Sequence, residues 1–230
     1  KLWPLAFVAR MLGGCSSSKS EKELVERDNS DSIKRDYVVI DTSAGTAVRP
    51  GWIEDANQWA KEFGQQPEKY RFFSYETDPK VSRQVACSLA RARARTDIAG
   101  EIATFIQKTL GESKEGQASI DENNPNAQPL REFVEETLAE KTQALIHGAQ
   151  VDKTYWEKRR YEKGLGAKQD FIGYTCSTLI KMDAESLRTA VEKAAQHVVK
   201  VADDPETKEN VKKALAKVSE DFDKAKQGTL

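Results

Sequence analysis

The residue with the clearest chemistry in this chain is a cysteine near its beginning. Cys15 follows Leu12, Gly13 and Gly14, and it closes a short, mostly apolar run. An apolar stretch that ends in small residues before a cysteine is typical of a bacterial lipobox. At such a site the thiol sulfur receives a diacylglyceryl group and the preceding segment is removed. We therefore predict a signal peptide over residues 1–14 and a palmitate-type lipid attachment on Cys15.

A charge at Arg10 interrupts the apolar run, which is atypical of a signal peptide. The alternative is an apolar N-terminal stretch that happens to contain a cysteine. A transmembrane helix is disfavoured, because a span needs about 20 apolar residues. Residues 15–34 are rich in Ser, Glu, Lys, Asp and Asn, and this composition predicts a flexible tether.

Two further cysteines, Cys87 and Cys176, remain once Cys15 is assigned to lipid. An even number of cysteines in an exported protein permits one disulfide. The other interpretation is two buried, small hydrophobic side chains. Sequence alone leaves both open, because bridging requires a Cα separation that it does not show.

Composition argues against several classes of activity. The 230 residues include 36 basic and 37 acidic side chains, so no global field attracts nucleic acid or an anionic membrane. His147 and His197 are far apart in the sequence, and the cysteines lack zinc-site spacing. His147 precedes a glycine near a helix end, where capping is the favoured role. We predict a protein that is not an enzyme and has no metal or cofactor.

Two clusters could still bind a ligand. Arg91 and Arg95 share one side of a helix while Arg93 points elsewhere, so a solvated helix face is favoured over a nucleic-acid site. Trp156, together with Tyr155 and Tyr161, could line an aromatic groove for glycan. The favoured interpretation is a strand packed under helices, whose long side chains reach water at their ends.

The elements that must position these residues follow from apolar periodicity. Tyr37–Ile40 is a strand or an extended docking segment, residues 53–63 form a short helix, and residues 70–76 form a strand. Asp78 and Pro79 then predict the cap and first residue of a long helix. Its inward side is predicted to carry Val81, Val85, Leu89, Ala92, Ala99, Ile102, Ile106 and Leu110. A polar, mobile loop over 112–128 and a second helix after Pro129 follow.

Alternation over residues 150–161 and an apolar run over 170–182 predict two strands. The short connection containing Gly164 and Gly166 makes them an antiparallel hairpin. A third helix is predicted from about 184 to 201. The fold class is α+β, with a small antiparallel sheet packed by long helices in a globular domain over 35–202.

A final amphipathic helix is predicted over 203–230. Its apolar stripe is narrow. A core helix usually has a wider apolar face, and a narrow stripe is typical of contact with a partner helix. We therefore predict an oligomer contact at Val211, Leu215, Val218 and Phe222.

The order of motifs resembles the lipoprotein-20 family of small outer-membrane lipoproteins, relatives of a lipoprotein of the flagellar disc. The matching motifs are Arg49-Pro50-Gly51-Trp52, the Ala/Arg helix at 90–95, Thr154-Tyr155-Trp156-Glu157 and the run 174–182. The resemblance spans about residues 49–190 and implies an envelope lipoprotein without catalytic residues. The polar loop and the final helix are longer than the family pattern.

These observations favour a non-enzymatic, lipid-anchored scaffold or assembly component on the periplasmic face of the outer membrane. Ser16 and Ser17, rather than Asp, after Cys15 favour that membrane by analogy with known sorting rules. The expected partners are the membrane, further copies of the chain and other envelope proteins, in a motor or a secretion-associated ring. Nucleic acid is not expected and a small-molecule ligand is disfavoured. The alternative is a periplasmic glycan- or ligand-binding lipoprotein that uses the groove around Trp156.

Overall fold

Two long strands from the C-terminal half of the chain form the centre of the sheet. The computed structural model describes residues 35–46, 48–124 and 127–229. Strand β3, Gln150–Tyr161, pairs antiparallel with strand β4, Phe171–Asp183, along its whole length. This pairing confirms the predicted hairpin. The short Gly-containing turn explains it, because a short connection permits only antiparallel pairing.

Two shorter strands complete the sheet at its edges. Strand β1, Tyr37–Thr42, pairs with β3, and strand β2, Tyr70–Glu76, pairs with β4, so the order is β1-β3-β4-β2. All pairs are antiparallel. The register of β1 slips between Val39 and Asp41, where Ile40 forms a bulge. Together with the helices, this sheet confirms the α+β fold class.

The helices account for most of the remaining described residues, and Asp36–Leu230 form one compact unit. The second predicted helix contains a π-helical turn at Phe133–Thr137. The predicted polar loop is wrong over its first part, where Gly116 and Ser119 are buried in a helix. The α-helices are α1 Ala56–Glu62, α2 Arg83–Glu112, α3 Lys114–Ile120, α4 Gln128–Glu132, α5 Leu138–Gln143, α6 Ala184–Val201, α7 Pro205–Ala214 and α8 Val218–Gln227.

One face of the sheet, here called the helix-covered face, packs against the long helices. Alternate side chains of β2 and β4 point into this layer, among them Phe73, Ile180 and Met182. They pack with buried residues of α2, α5, α6, α7 and α8 in the main core. Removal of this apolar surface from water is the main force that stabilises the fold.

The opposite face, here called the loop-covered face, lies under residues 48–62. Trp52 and Ala60 pack on Phe72, Tyr155 and Leu179 in a smaller apolar cluster. Asp55 caps α1 by accepting hydrogen bonds from the backbone N–H groups of the second and third residues after it. The cap and the cluster hold this short segment on the sheet.

Helix α2 begins later than the Asp78-Pro79 pattern predicted. Ser82 caps the helix, and its first residue is Arg83. Before it, the N–H of Lys80 donates to the oxygen of Tyr174 at 2.9 Å, and the reverse bond is 2.8 Å. This pairing continues the sheet past Glu76 and delays the helix. Glycine is required at position 173, because a Cβ atom there would lie only 2.9 Å from the Cβ atom of Pro79.

The predicted inward side of α2 is wrong in its first half. Val81 and Val85 are exposed, whereas Ala86, Ala90 and Ala94 are buried. Small residues let the helix backbone approach the sheet closely, so alanine rather than valine faces inward. In the second half, Ala99, Ile102, Ile106 and Leu110 are buried as predicted.

The C-terminal region is also different from the prediction. It forms two helices, α7 and α8, and both belong to the main core. The predicted oligomer contact at Val211, Leu215, Val218 and Phe222 is wrong, because all four side chains are buried within the chain. Both helices pack on more than one neighbouring element. The ring of Phe222 in α8 meets Phe105 of α2 edge-on, with centroids 5.2 Å apart. Arg71 of β2 holds Asp223 of α8 through two hydrogen bonds of 2.7 and 2.9 Å.

Candidate docking face and hairpin tip

The predicted lipid-attachment residue Cys15 and the lipobox Leu12, Gly13 and Gly14 lie outside the described residues, as do the signal peptide and the tether. In the described ranges, no helix combines the length and the apolar character needed to cross a bilayer. The lipid anchor therefore stays a prediction.

The other two cysteines are joined by a disulfide. Cys87 lies in the first turns of α2 and Cys176 in the middle of β4, with Cα atoms 5.0 Å apart. The close approach of Ala86 and Ala90 to the sheet brings the two sulfurs together. The bridge closes a loop of 89 residues and fixes the helical layer to the central hairpin.

The three aromatic residues of the predicted groove lie on two different faces. Tyr155 and Tyr161 point to the loop-covered face and are buried, whereas Trp156 points to the helix-covered face. Neighbouring strand residues alternate between faces, so Tyr155 and Trp156 cannot line one groove. The prediction that these three aromatic residues line one groove around Trp156 is therefore wrong.

A network of five charged side chains lies on the loop-covered face. Arg159 on β3 contacts Glu157 at 2.6 Å and Glu76 at 2.7 Å. Arg49, from the loop after β1, contacts Glu76 at 2.5 Å and Glu54 at 2.6 Å. The ring of Tyr37 lies 4.3 Å from the Arg159 guanidinium. These charges pair with one another, so the network holds the loop on the sheet.

The pKa of Glu76 shows how strongly this network is coupled. Burial alone would raise the pKa, but hydrogen bonds and charges from Arg49 and Arg159 lower it below its usual range. The pKa of Arg49 rises further above its usual value, because its bonds to Glu76 outweigh desolvation. Both side chains therefore stay ionised at neutral pH, and neither has the shift expected of a proton-transfer group.

The helices do not reach the turn between β3 and β4, so they leave part of the helix-covered face of the sheet uncovered near this turn. This open face consists of Val38, Trp156, Lys158 and Tyr174, with Arg83 from α2 beside them. Trp156 and Tyr174 are half-buried, because they also pack against the small apolar cluster around Cys176. The guanidinium of Arg83 lies 5.1 Å from the Trp156 ring, and the Lys158 ammonium lies 5.8 Å from the Tyr174 ring. Val38 is 40% exposed on the edge strand. The face is partly apolar and basic.

Beyond the open face, residues 158–172 form the hairpin tip. Its turn contains a short 3₁₀ segment, Lys163–Leu165, and Gly166 with φ of 109°, a conformation that glycine adopts readily. Leu165 is 42% and Ile172 52% exposed. A hollow of about 550 Å³ lies beside the turn and is lined by Arg160, Tyr161, Glu162, Lys163, Gly164, Asp170, Phe171 and Ile172.

The remaining candidate residues do not converge. His147 is exposed in the turn after α5, and His197 lies in α6. Arg91, Arg93 and Arg95 are exposed on α2. Within the residues that the structure describes, no group of three or more His, Cys, Asp or Glu side chains could hold a metal ion.

Comparison with known proteins gives no family: no family model, curated protein or solved structure matches this chain. The resemblance to the lipoprotein-20 family stays a prediction. The hairpin tip was missed by sequence reasoning, which used its glycines only as a turn. The sequence does contain a pattern that could have revealed the tip, because residues 158–172 combine the apolar Leu165, Phe171 and Ile172 with five basic side chains.

Proposed function

We propose that this chain is a non-enzymatic, lipid-anchored component of the bacterial cell envelope, which assembles on the periplasmic face of the outer membrane. Acyl chains on Cys15 would hold it there, because each buried methylene contributes about 0.8 kcal/mol. The Cys87–Cys176 disulfide supports export, since such bridges persist in oxidising compartments.

The observation that carries the assembly role is the open face and the adjoining edge of β1. In the described part of the chain, β1 pairs only with β3, so its outer edge has no strand beside it. Val38 and Ile40 are each 40% exposed there. An unpaired edge with apolar side chains is a ready site for another chain. The bulge at Ile40 restricts such pairing to a short stretch.

The anchor is tested by the intact mass of the protein isolated from its native membranes. We expect a chain that begins at Cys15 and carries three acyl chains. A bare thiol on an unprocessed N-terminus would overturn the anchor, whatever the assembly state.

Assembly is tested by sedimentation velocity of the chain from Ser16 to Leu230, which keeps the whole described core. We expect association that strengthens with concentration and is weakened at least about tenfold by Val38→Asp, because a buried charge at an interface is costly. The matched control is Val151→Asp, an exposed valine at the end of β3 that does not pair with β1. A monomer at the highest soluble concentration would contradict self-assembly and leave only docking with other envelope proteins.

A further inference from the structure

The hairpin tip differs in charge from the rest of the chain. Residues 158–172 contain five basic and two acidic side chains, although the whole chain has a net charge of -1. One of the five, Arg159, is buried and paired with Glu157 and Glu76, so four basic side chains lie outside the ion network. Lys163 and Lys168 are exposed, and the 52% exposed Arg160 contacts the partly exposed Glu162 on the surface. The end of the molecule therefore presents local positive charge to anionic partners.

The same tip also exposes apolar side chains. Leu165 stands in the turn itself, and Phe171 and Ile172 begin the returning strand. All three are at least 39% exposed. Leu165 lies in the turn outside the hollow, whereas Phe171 and Ile172 line one side of it. Exposed apolar side chains of a turn can enter a fluid apolar phase, which needs no rigid complementary surface.

Aromatic rings lie directly behind this apolar end. Tyr161 stacks on Phe171 with ring centroids 4.4 Å apart, and Tyr37 lies 5.3 Å from Tyr161. The tip thus places a leucine in the turn, a lysine on either side of it in the sequence, and aromatic rings behind them. Side chains at membrane interfaces are arranged in this order. The stack also makes the turn rigid, so little order must be gained on binding.

We propose that the hairpin tip binds an anionic lipid bilayer independently of the acyl anchor. Leu165 and Ile172 enter the headgroup region, and Lys163, Lys168 and Arg160 contact lipid phosphates. The hollow beside Arg160 and Lys163 is open to such a headgroup. Charge complementarity selects this occupant over a second copy of the tip, because two copies would place like charges together. The inference rests on the proposed function only for the presence of a bilayer nearby.

The test is cosedimentation of the unlipidated chain Ser16–Leu230 with vesicles of phosphatidylethanolamine and phosphatidylglycerol, and with vesicles of phosphatidylcholine alone. We expect binding to the anionic vesicles only, weakened by salt. Each basic residue near an anionic surface raises partitioning about fivefold. The double variant Lys163→Glu, Lys168→Glu should therefore lower it at least about 25-fold, and Leu165→Ser with Ile172→Ser about tenfold.

The matched controls are Lys108→Glu and Val151→Ser, which change an exposed lysine and an exposed valine away from the tip. Both should bind the anionic vesicles as the unchanged chain does. Absence of binding by the unchanged chain, or equal binding by the tip variants, would overturn the proposal. Binding to polyglutamate beads but not to vesicles would also overturn it, and would assign the tip to an acidic polypeptide. A native protein without acyl chains would refute the anchor and leave the vesicle result unchanged.

Discussion

The two faces of the sheet differ in how much of their buried surface is charged. The helix-covered face is held by the apolar core around Ile102, whereas the loop-covered face joins a small apolar cluster to the ion network of Arg159. On β3, Tyr155, Glu157, Arg159 and Tyr161 are all buried, although two of them are charged. Alternation therefore reports burial, and it does not by itself report an apolar environment.

The difference matters for stability and for function. Apolar burial contributes in proportion to area, whereas paired charges recover only part of their desolvation cost. Most of the folding free energy should therefore come from the helix-covered face. The ion network should instead fix the position of the loop around Arg49, which lies on the side of the sheet opposite the open face.

The largest expected effect comes from the apolar face. Ile102→Ala should lower the free energy of unfolding by about 4 kcal/mol, because it leaves a cavity in a fully buried site. Urea denaturation measures this change. Val85→Ala on the same helix, where the side chain is 49% exposed, should cost less than about 1 kcal/mol. Equal costs would show that this side of α2 is not the core.

The disulfide ties the helical layer to the central hairpin, and its loss should be the next largest effect. Replacement of Cys87 and Cys176 together by alanine should cost about 3 kcal/mol, because the unfolded chain regains the freedom of a long loop. Denaturation with and without a reducing agent measures this cost. The double variant should no longer respond to the reductant, and a persistent response would place the bridge elsewhere.

The ion network should contribute less than the apolar core. Arg159→Met should cost about 2 kcal/mol, because it removes the closer ion pair of the buried Glu157 and leaves the more distant Arg49 at 3.7 Å. The value is below that of a fully enclosed pair since Glu76 is 26% exposed. The control is Arg160→Met, whose side chain is 52% exposed, and it should be nearly neutral. Similar losses in both would remove the distinction between the faces.

The smallest effect is a dependence on pH from Glu76. Its pKa is lower in the folded chain, so its contribution is complete above the unfolded value of about 4.3 and is lost as pH falls through the folded value. Glu76→Gln should flatten the acid limb of stability against pH by less than about 1 kcal/mol. Thermal melts below pH 5 measure it, with the exposed Glu62→Gln as control. An unchanged acid limb would contradict the coupling.

Much of the fold was predictable because periodicity and turn chemistry agree in the C-terminal half. The strands β3 and β4 and helix α6 have nearly the predicted bounds, since each has a regular apolar pattern and a clear boundary. The start of α2 was not predictable in this way. Pairing of Lys80 with Tyr174 is a tertiary contact, and it overrides the local preference of Asp78-Pro79 for a helix start.

The candidate sites were less predictable than the fold. Sequence treated large apolar residues as core, so it placed Val81 inward and overlooked Ala86. The sequence also predicted that the apolar stripe from Val211 to Phe222 contacts a second copy. Whether such a stripe packs within its own chain depends on the other elements of the fold, which the local pattern does not show. Side chains at the hairpin tip were visible in the sequence, but their exposure depends on where the helical layer ends.

The strand order has a consequence for how the chain acquires its structure. Strands β1 and β2 come early in the chain, yet their only partners in the sheet, β3 and β4, follow Gln150. No strand pair can close until more than half of the polypeptide is present, and closing long loops is slow. The described strands of the N-terminal half therefore stay unpaired while the chain is being made, as the export proposed above would require of a polypeptide that crosses a translocation pore unfolded.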